Sequence, residues 1–581
     1  MRLSIKSSAS ATRYYAIQTI YISGHKNTSK VVRKFGTHEE LLLQNLDGLT
    51  PEQWCRTEIA KMNEEEAKGK RFLALDANER LALGEQTAIH CGHFFLKPLF
   101  NALGLDKFCK QISKAYKFEY DLSEILSMLV FTRVLTPSSK KASLAHYQSF
   151  FKTGNIQEHQ VYRALDVLAE HSDAIQAELY KNSKNMVDRQ SSILYYDCTN
   201  FFFEIDKNDG FRQYGISKQN QPSPLVQMGL FTDGNGIPLA FNLQPGNCNE
   251  QITLLPLEKK ILKDFDCSQF IVCTDAGLSS QENRSFNTKG NRAFITTQSV
   301  KQLKKHLRTW ALDSSDWHLE GSDKTFRLED LDEEKDFEKV FYKERWINEK
   351  NFSQRLLVSY SLKYRNYTRK LRQGQIDRAI AAMQSGQAKR KKSNPNDYRR
   401  FINTLASTAD GELAENTKYV LDDNQIQKEA LYDGFYAVCT NLEGDVSQIL
   451  GVNKRRWQIE SCFRVMKSDF ESRPVYLQKD NRILAHFLNC FIALTLVRIL
   501  EQTLKEQNEH YSTSEVLKTL SNMQLTRIGK EYVPHFTRTP LTDKLHEIFG
   551  FNLDARIMSE SQLQSLLKKK FSYVVQKKDK S

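Results

Sequence analysis

The apolar pattern of the chain changes period near Ser192, and this change constrains the fold more than any other feature. From about Leu96 to Asn185 apolar residues recur at helical spacing. Beyond Ser192 short β-branched and aromatic runs alternate with helical ones. SILYYDCTNFFFE reads as a strand, VQMGLFTDGNGIPLAFNLQPG as a hairpin turning at DGNG, and EQITLLPLEKKILKDF as an amphipathic helix. QFIVCTD and RAFITTQ are two further short strands. A chain built this way buries a sheet beneath helices, so the expected class is α/β.

The order βββαβ is that of a ribonuclease H-like core, a mixed five-stranded sheet flanked by helices. Its first part is expected over 191–300 and its second over 442–500. Between them, 301–441 reads as a β-rich insertion containing RLLVSYSLKY and GFYAVCTN, a charged helical piece from Arg365 to Arg378, and a basic loop at Lys389, Arg390, Lys391 and Lys392 before Pro395. Residues 1–90 hold a basic hairpin from Tyr14 to Gly36, carrying Lys26, Lys30, Arg33 and Lys34, and a charged helical stretch from Glu58 to Arg80. Residues 91–190 are helical throughout. Within them Glu158 to His171 is one amphipathic helix, open to a helix-turn-helix reading or to simple packing. Residues 501–581 form a helical basic tail ending in Lys568, Lys569 and Lys570.

A formal net charge of +13 favours polyanionic partners without choosing between nucleic acid and an anionic surface. The 10 cysteines are scattered, with no CxxC pair and no apolar segment near Met1, which suits reduced thiols in a cytoplasmic protein. His90, Cys91 and His93 lack a second ligand pair and read as ordinary residues rather than a zinc site. The apolar stretch from Phe487 to Val497 contains Asn489 and is too short to span a bilayer, so no membrane partner is expected.

Three acidic residues stand where chemistry needs rigidity. Asp197 follows the apolar run ILYY, and Asp275 closes FIVCT beside the small residues Ala276 and Gly277. If their strands are neighbours, both carboxylates can ligate one divalent ion, and hard oxygen ligands suit magnesium or manganese. The third is Glu460 on the predicted helix RRWQIESCFRVMKSDF, where Arg456, Glu460, Arg464 and Lys467 share a stripe roughly 80° wide beside an apolar stripe of Ile459, Phe463, Met466 and Phe470. On spacing alone that charged stripe reads equally as a salt-bridge ladder on a solvated face. Of the competing acids, Asp233 belongs to a turn, Asp206 and Asp209 to a polar loop, and Glu250 to a helix start, with Asn247 and Asn249 as loop and cap residues.

The combination resembles the DDE transposases of bacterial insertion sequences, in the branch whose glutamate helix carries Y-x2-R-x3-E-x6-K, the insertion sequence four superfamily. Arg456, Glu460 and Lys467 match the last three signature positions, while Asn453 stands where the family has tyrosine. YYDCTNFFFE, GIPLAFNLQPGNCNEQIT, VCTDAG and RPVYLQKDNRILAHFLNCFIALTL extend the resemblance over most of Ser192 to Thr297 and Gly434 to Leu500. The resemblance implies that Asp197, Asp275 and Glu460 are catalytic and hold two magnesium or manganese ions. It implies that Arg456 and Lys467 contact phosphates at a transposon end, with Arg464 on the same path. Trp457 is open to stacking on a displaced base or to core packing. Expected partners are double-stranded DNA with terminal inverted repeats, target DNA, and a second copy of the chain in a synaptic homodimer. A DNA-binding relic and a nuclease that cuts without joining are the alternatives.

Overall fold

The computed structural model describes residues 1–8, 11–20, 28–44, 48–68, 78, 80–218, 221–265, 267–388, 397–406 and 417–571. These form two compact units: 1–87 with 527–533 and 555–560, and 88–526 with 534–554 and 561–581. In the smaller unit β1 (Arg2–Ser7), β2 (Thr12–Ile20) and β3 (Thr28–Thr37) make an antiparallel sheet in the order β1-β2-β3. The predicted hairpin therefore gains a strand, because RLSIKS is too short an alternation to announce itself but pairs along its whole length with β2. The helix runs from Pro51 to Lys68, ahead of the predicted Glu58. Thr50 caps it, its Oγ1 accepting from the Gln53 amide at 3.3 Å, and proline suits the first helical position. Tyr14, Leu41 and Cys55 form the core of this unit, packed by Leu3, Phe35 and Trp54. Lys26 lies outside the described residues, as do 69–77 of the predicted charged helix and the basic loop from Lys389 to Pro395.

The larger unit opens on β4 (Ala88–His90) and a run of helices that includes Glu158–Glu170, close to its predicted bounds. That helix buries Val161, Ala164, Leu165 and Leu168 and packs on Asp480–Glu506, which accounts for its pattern. His93 stacks on Phe150 with ring centroids 4.7 Å apart, and His90 Nε2 lies 2.9 Å from the Ser521 carbonyl, so packing occupies both.

The strands that follow are β5 (Ile193–Phe202), β6 (Leu225–Asp233), β7 (Pro238–Pro245), β8 (Ile271–Thr274) and β9 (Ala293–Gln298), all at the predicted places. β5, β6 and β7 are antiparallel, whereas β8 runs parallel to β5 and β9 parallel to β8. The sheet does not stop at five strands. β10 (Trp317–Leu319), β11 (Ser322–Phe326), β12 (Phe341–Asn348) and β13 (Ser353–Tyr360) join it, while β14 (Ile402–Ala406) and β15 (Thr417–Leu421) pair apart from it. β16 (Phe435–Thr440) closes the seam, and the order is β11-β10-β12-β13-β16-β9-β8-β5-β6-β7. The edge of β9 would otherwise leave a row of unpaired backbone groups, and β16 satisfies them antiparallel, with Ala437 opposite Gln298. The five expected strands are thus half of one ten-stranded sheet.

Alternation sends Leu194, Tyr196 and Cys198 of β5 to one face, where Leu254, Leu257 and Ile261 of the following helix cover them. Tyr195 and Phe201 point to the other face, toward Val452 and Phe487. The helix Asp480–Glu506 is longer than predicted and long and apolar enough to cross a bilayer, yet 89% of its apolar window is buried within the protein.

Candidate active site

The site grows from the register of β5 and β8. Tyr195 pairs with Cys273 across these parallel strands, so Asp197 and Asp275, each two residues further on, leave the sheet on the same face at neighbouring positions. Asp197 lies within β5, and its Oδ1 accepts from the Cys198 amide at 2.8 Å. Asp275 directly follows β8 and caps a short 3-10 turn, its Oδ1 accepting from the Ala276 amide at 2.7 Å. Burial raises the Asp197 carboxyl to about 6, with Asp275 adding to the rise and Lys218 and Arg456 opposing it.

The glutamate segment is not the single helix predicted. Val446–Lys454 ends, the chain turns at Arg455 and Arg456, and a second helix runs from Trp457 to Arg464. Val465–Asp469 then widens into a π turn. The break frees the Arg456 side chain from the helix surface. Its Nη2 lies 3.9 Å from Asp275 Oδ1 and 3.7 Å from Glu460 Oε1. One guanidinium thereby joins carboxylates that are 185 positions apart in sequence (460 minus 275). Burial disfavours its charge, but Asp275, Asp197, Tyr436 and Glu460 together outweigh that and hold it more basic than usual.

The predicted stripe of four charges divides at the π turn, because the extra residue per turn rotates Lys467 away from Arg464. Lys467 Nζ donates to Thr199 Oγ1 and lies 5.3 Å from the centre of the Phe201 ring, two β5 residues on the face of Asp197. Burial, with Arg473 and Lys218 nearby, lowers its ammonium to about 8. Arg464 is exposed and lines a different groove, together with Ser461, Arg498 and Lys505. Trp457 is 60% exposed, which removes core packing as its role. It stands between that groove and a cavity of about 880 Å³ walled by Tyr342, Tyr364, Tyr436, Arg456 and Glu460.

Two features were not legible beforehand. Lys218, from the loop after β5, donates to the Cys198 carbonyl at 2.6 Å and pairs with Glu250 at 2.9 Å, which brings its charge to Asp197. A lysine in a polar loop carries no spacing signal that could have singled it out. Asn453, at the signature tyrosine position, is buried, and its Nδ2 donates at 2.8 Å to the phenol of Tyr436 on β16. The same phenol lies 3.0 Å from Thr297 Oγ1, so β9 and β16 fix a tyrosine on the site wall from a strand far from the signature. Of the competing acids, Glu250 acts through its pairing with Lys218, and two others are held in contacts of their own. Asp233 is buried against Arg189 and accepts two turn amides, Asp209 pairs with Arg212, and Asn249 caps the turn that Glu250 begins.

Among the described residues no three Asp, Glu, His or Cys side chains are grouped as a finished metal cage. The donor set nevertheless suits hard divalent cations. Two same-face carboxylates lie beside a third that shares a cation with one of them, and the Arg456 guanidinium marks where positive charge is stabilised.

Comparison with known proteins places the chemistry in a family context. The family model described as transposase DDE domain matches residues 200–496, just over half of the 581 residues, and begins three residues after Asp197. Among solved structures, a piggyBac transposase synaptic complex with hairpin DNA is similar over 75% of this chain and 80% of that chain, at 9% identity and a TM-score of 0.36. A search of curated proteins found no match.

Proposed function

The chain belongs to the transposase DDE domain family, and from that premise we propose that it cuts DNA at the ends of a bacterial insertion sequence and joins the freed 3′ hydroxyls to target DNA. The observation that supports this reading is that Arg456 bridges Asp275 and Glu460, while the parallel register of β5 and β8 sets Asp197 beside Asp275. In this reading β7-β6-β5-β8-β9 is a ribonuclease H-like core, and the three carboxylates hold two magnesium or manganese ions. Those ions, when bound, supply the charge that activates an attacking oxygen and stabilises a leaving one in an in-line displacement.

The remaining chemistry belongs to the side chains. Strand backbone holds Asp197 and Asp275 in fixed register, so little reorganisation is needed as charge develops. Arg456, released from Asp275 and Glu460, turns its planar fork toward a phosphate, for which it is better shaped than lysine. Lys467 and Lys218 flank Asp197 and offset the negative charge of an approaching phosphodiester. Trp457 offers an exposed ring on which a displaced base stacks. The substrates are duplexes bearing terminal inverted repeats, held by a homodimer acting in the bacterial cytoplasm.

The test is incubation of the full chain with DNA carrying the inverted repeats that flank its own gene, in magnesium or manganese. Wild type is compared with Asp197→Ala and Glu460→Gln. Joined products that vanish in both variants support the proposal. Nicks without joining would reduce it to a nuclease, and binding without nicks to a DNA-binding relic.

A further inference from the structure

The first 38 residues contain no aspartate or glutamate but seven lysines and arginines. The smaller unit sorts these charges by face. Tyr14 and Ala16 of β2 are buried, with the partly buried Leu3 and Phe35 beside them, against the helix Pro51–Lys68 and its neighbours. Arg33 belongs to this covered side, where it reaches Glu58 at 3.6 Å.

Cross-strand partners share a face, so the other side can be read from the register. Lys6 stands opposite Arg13, Ser4 opposite Tyr15, Arg2 opposite Ile17, and Tyr15 opposite Lys34. Arg2, Lys6, Arg13 and Lys34 are all exposed on this outer face, and among the described residues none of the four is paired with a carboxylate. Tyr15 lies at the centre, half-buried, with Lys6 Nζ 6.0 Å from its ring centre. A folded protein gains nothing by gathering unpaired cations on one sheet face, since like charges repel and surface lysines are as well solvated when dispersed. Outward side chains on a sheet repeat about every 7 Å along a strand and about 5 Å across it. That grid suits a polyanion whose charges are as dense as those of duplex DNA, about one per 1.7 Å of axis.

We infer that the outer face of β1-β2-β3 is a docking surface for the phosphate backbone of duplex DNA, separate from the strand that is cut. The assignment rests on the transposase reading for the identity of the polyanion. The face is suited to gripping backbone, because its cations are spread over a broad three-stranded sheet around Tyr15, Ile17 and Val31 rather than gathered on one element narrow enough to enter a groove.

The test measures binding of the full chain to duplex DNA across a salt series, without divalent metal so that nothing is cut. Wild type is compared with a triple variant, Lys6→Ala, Arg13→Ala and Lys34→Ala. A charge-keeping triple, Lys6→Arg, Arg13→Lys and Lys34→Arg, and the covered-face variant Arg33→Ala serve as controls. The alanine triple is expected to make the slope of log affinity against log salt shallower by about 2.7, from three contacts at about 0.9 each. The charge-keeping triple and Arg33→Ala should retain the wild-type slope with unchanged melting temperatures. Wild-type slope in the alanine triple, while wild type binds DNA, overturns the surface and leaves the transposase reading intact. Failure of wild type to bind any duplex overturns both. Loss of binding to anionic phosphatidylserine vesicles, with DNA binding untouched, reassigns the face to a membrane and overturns the inference.

Discussion

Lys140 provides a quantitative test of how the region behind the glutamate segment is held. It opens the helix Lys140–Tyr147, is buried, and places Nζ 3.3 Å from His486 Nδ1. The other ring nitrogen of His486 lies 3.1 Å from the Ser472 carbonyl, and Arg133 donates to the carbonyls of Phe470 and Ser138, both at 2.9 Å. Burial, then the neighbouring Arg133, pulls the ammonium from its ordinary value of 10.5 down to about 7, and the Cys490 thiol offsets this only in part. The unfolded chain keeps its proton up to its higher pKa, so between about 7 and 10.5 it binds more protons than the folded chain, and stability rises with pH. At about 1.4 kcal/mol per unit, the penalty below pH 7 is at most roughly 5 kcal/mol. Lys140→Met removes the charge but also a hydrogen bond, so a net gain of about 2 kcal/mol at pH 7 is expected. Urea unfolding followed by tryptophan emission reads mainly the larger unit, where Trp310, Trp317, Trp346 and Trp457 lie, and the same measurement on a Trp54→Phe background removes the signal of the smaller unit. Wild type should gain about 2 kcal/mol between pH 7 and pH 9 relative to the variant. A constant difference across that range would refute a charge buried without compensation.

Two further substitutions probe the site. Lys218→Ala removes a partly exposed ion pair with Glu250, so unfolding stability should change by less than about 1 kcal/mol. Cleavage of a pre-bound end should nevertheless slow by about 10²-fold in single-turnover assays, as for loss of one charge-stabilising donor; an unchanged rate would limit Lys218 to loop anchoring. Lys467→Ala should weaken end binding and make its salt slope shallower by about 0.9, measured by fluorescence anisotropy, and an unaltered slope would confine this ammonium to its contact with Thr199.

What the sequence disclosed, and what it hid, follows from the range of the forces involved. β5 was readable because ILYY and the aromatic residues after Asp197 are unambiguous strand formers, and β6 and β7 because Asp-Gly-Asn-Gly makes a turn that local backbone preferences nearly dictate. With β8 recognised from FIVCT, the neighbourhood of Asp197 and Asp275 still depended on the two strands pairing, which the parallel register of β5 and β8 supplies. The features missed were those settled by distant partners. The π turn at Val465–Asp469 has an unremarkable composition; it forms where Lys467 meets Thr199 and where Ser472 is tied back to the Met466 carbonyl. The break at Arg455 coincides with Tyr195 donating to the Val452 carbonyl and Asn453 holding Tyr436, both contacts with the sheet. This break turns Arg456 from one rung of a surface ladder into a bridge between Asp275 and Glu460. The most informative arginine at the site is therefore placed by two tyrosines and an asparagine that lie outside every matched signature position. A substitution such as Tyr436→Phe, which deletes only the phenol bonded to Asn453, acts on the site through that placement.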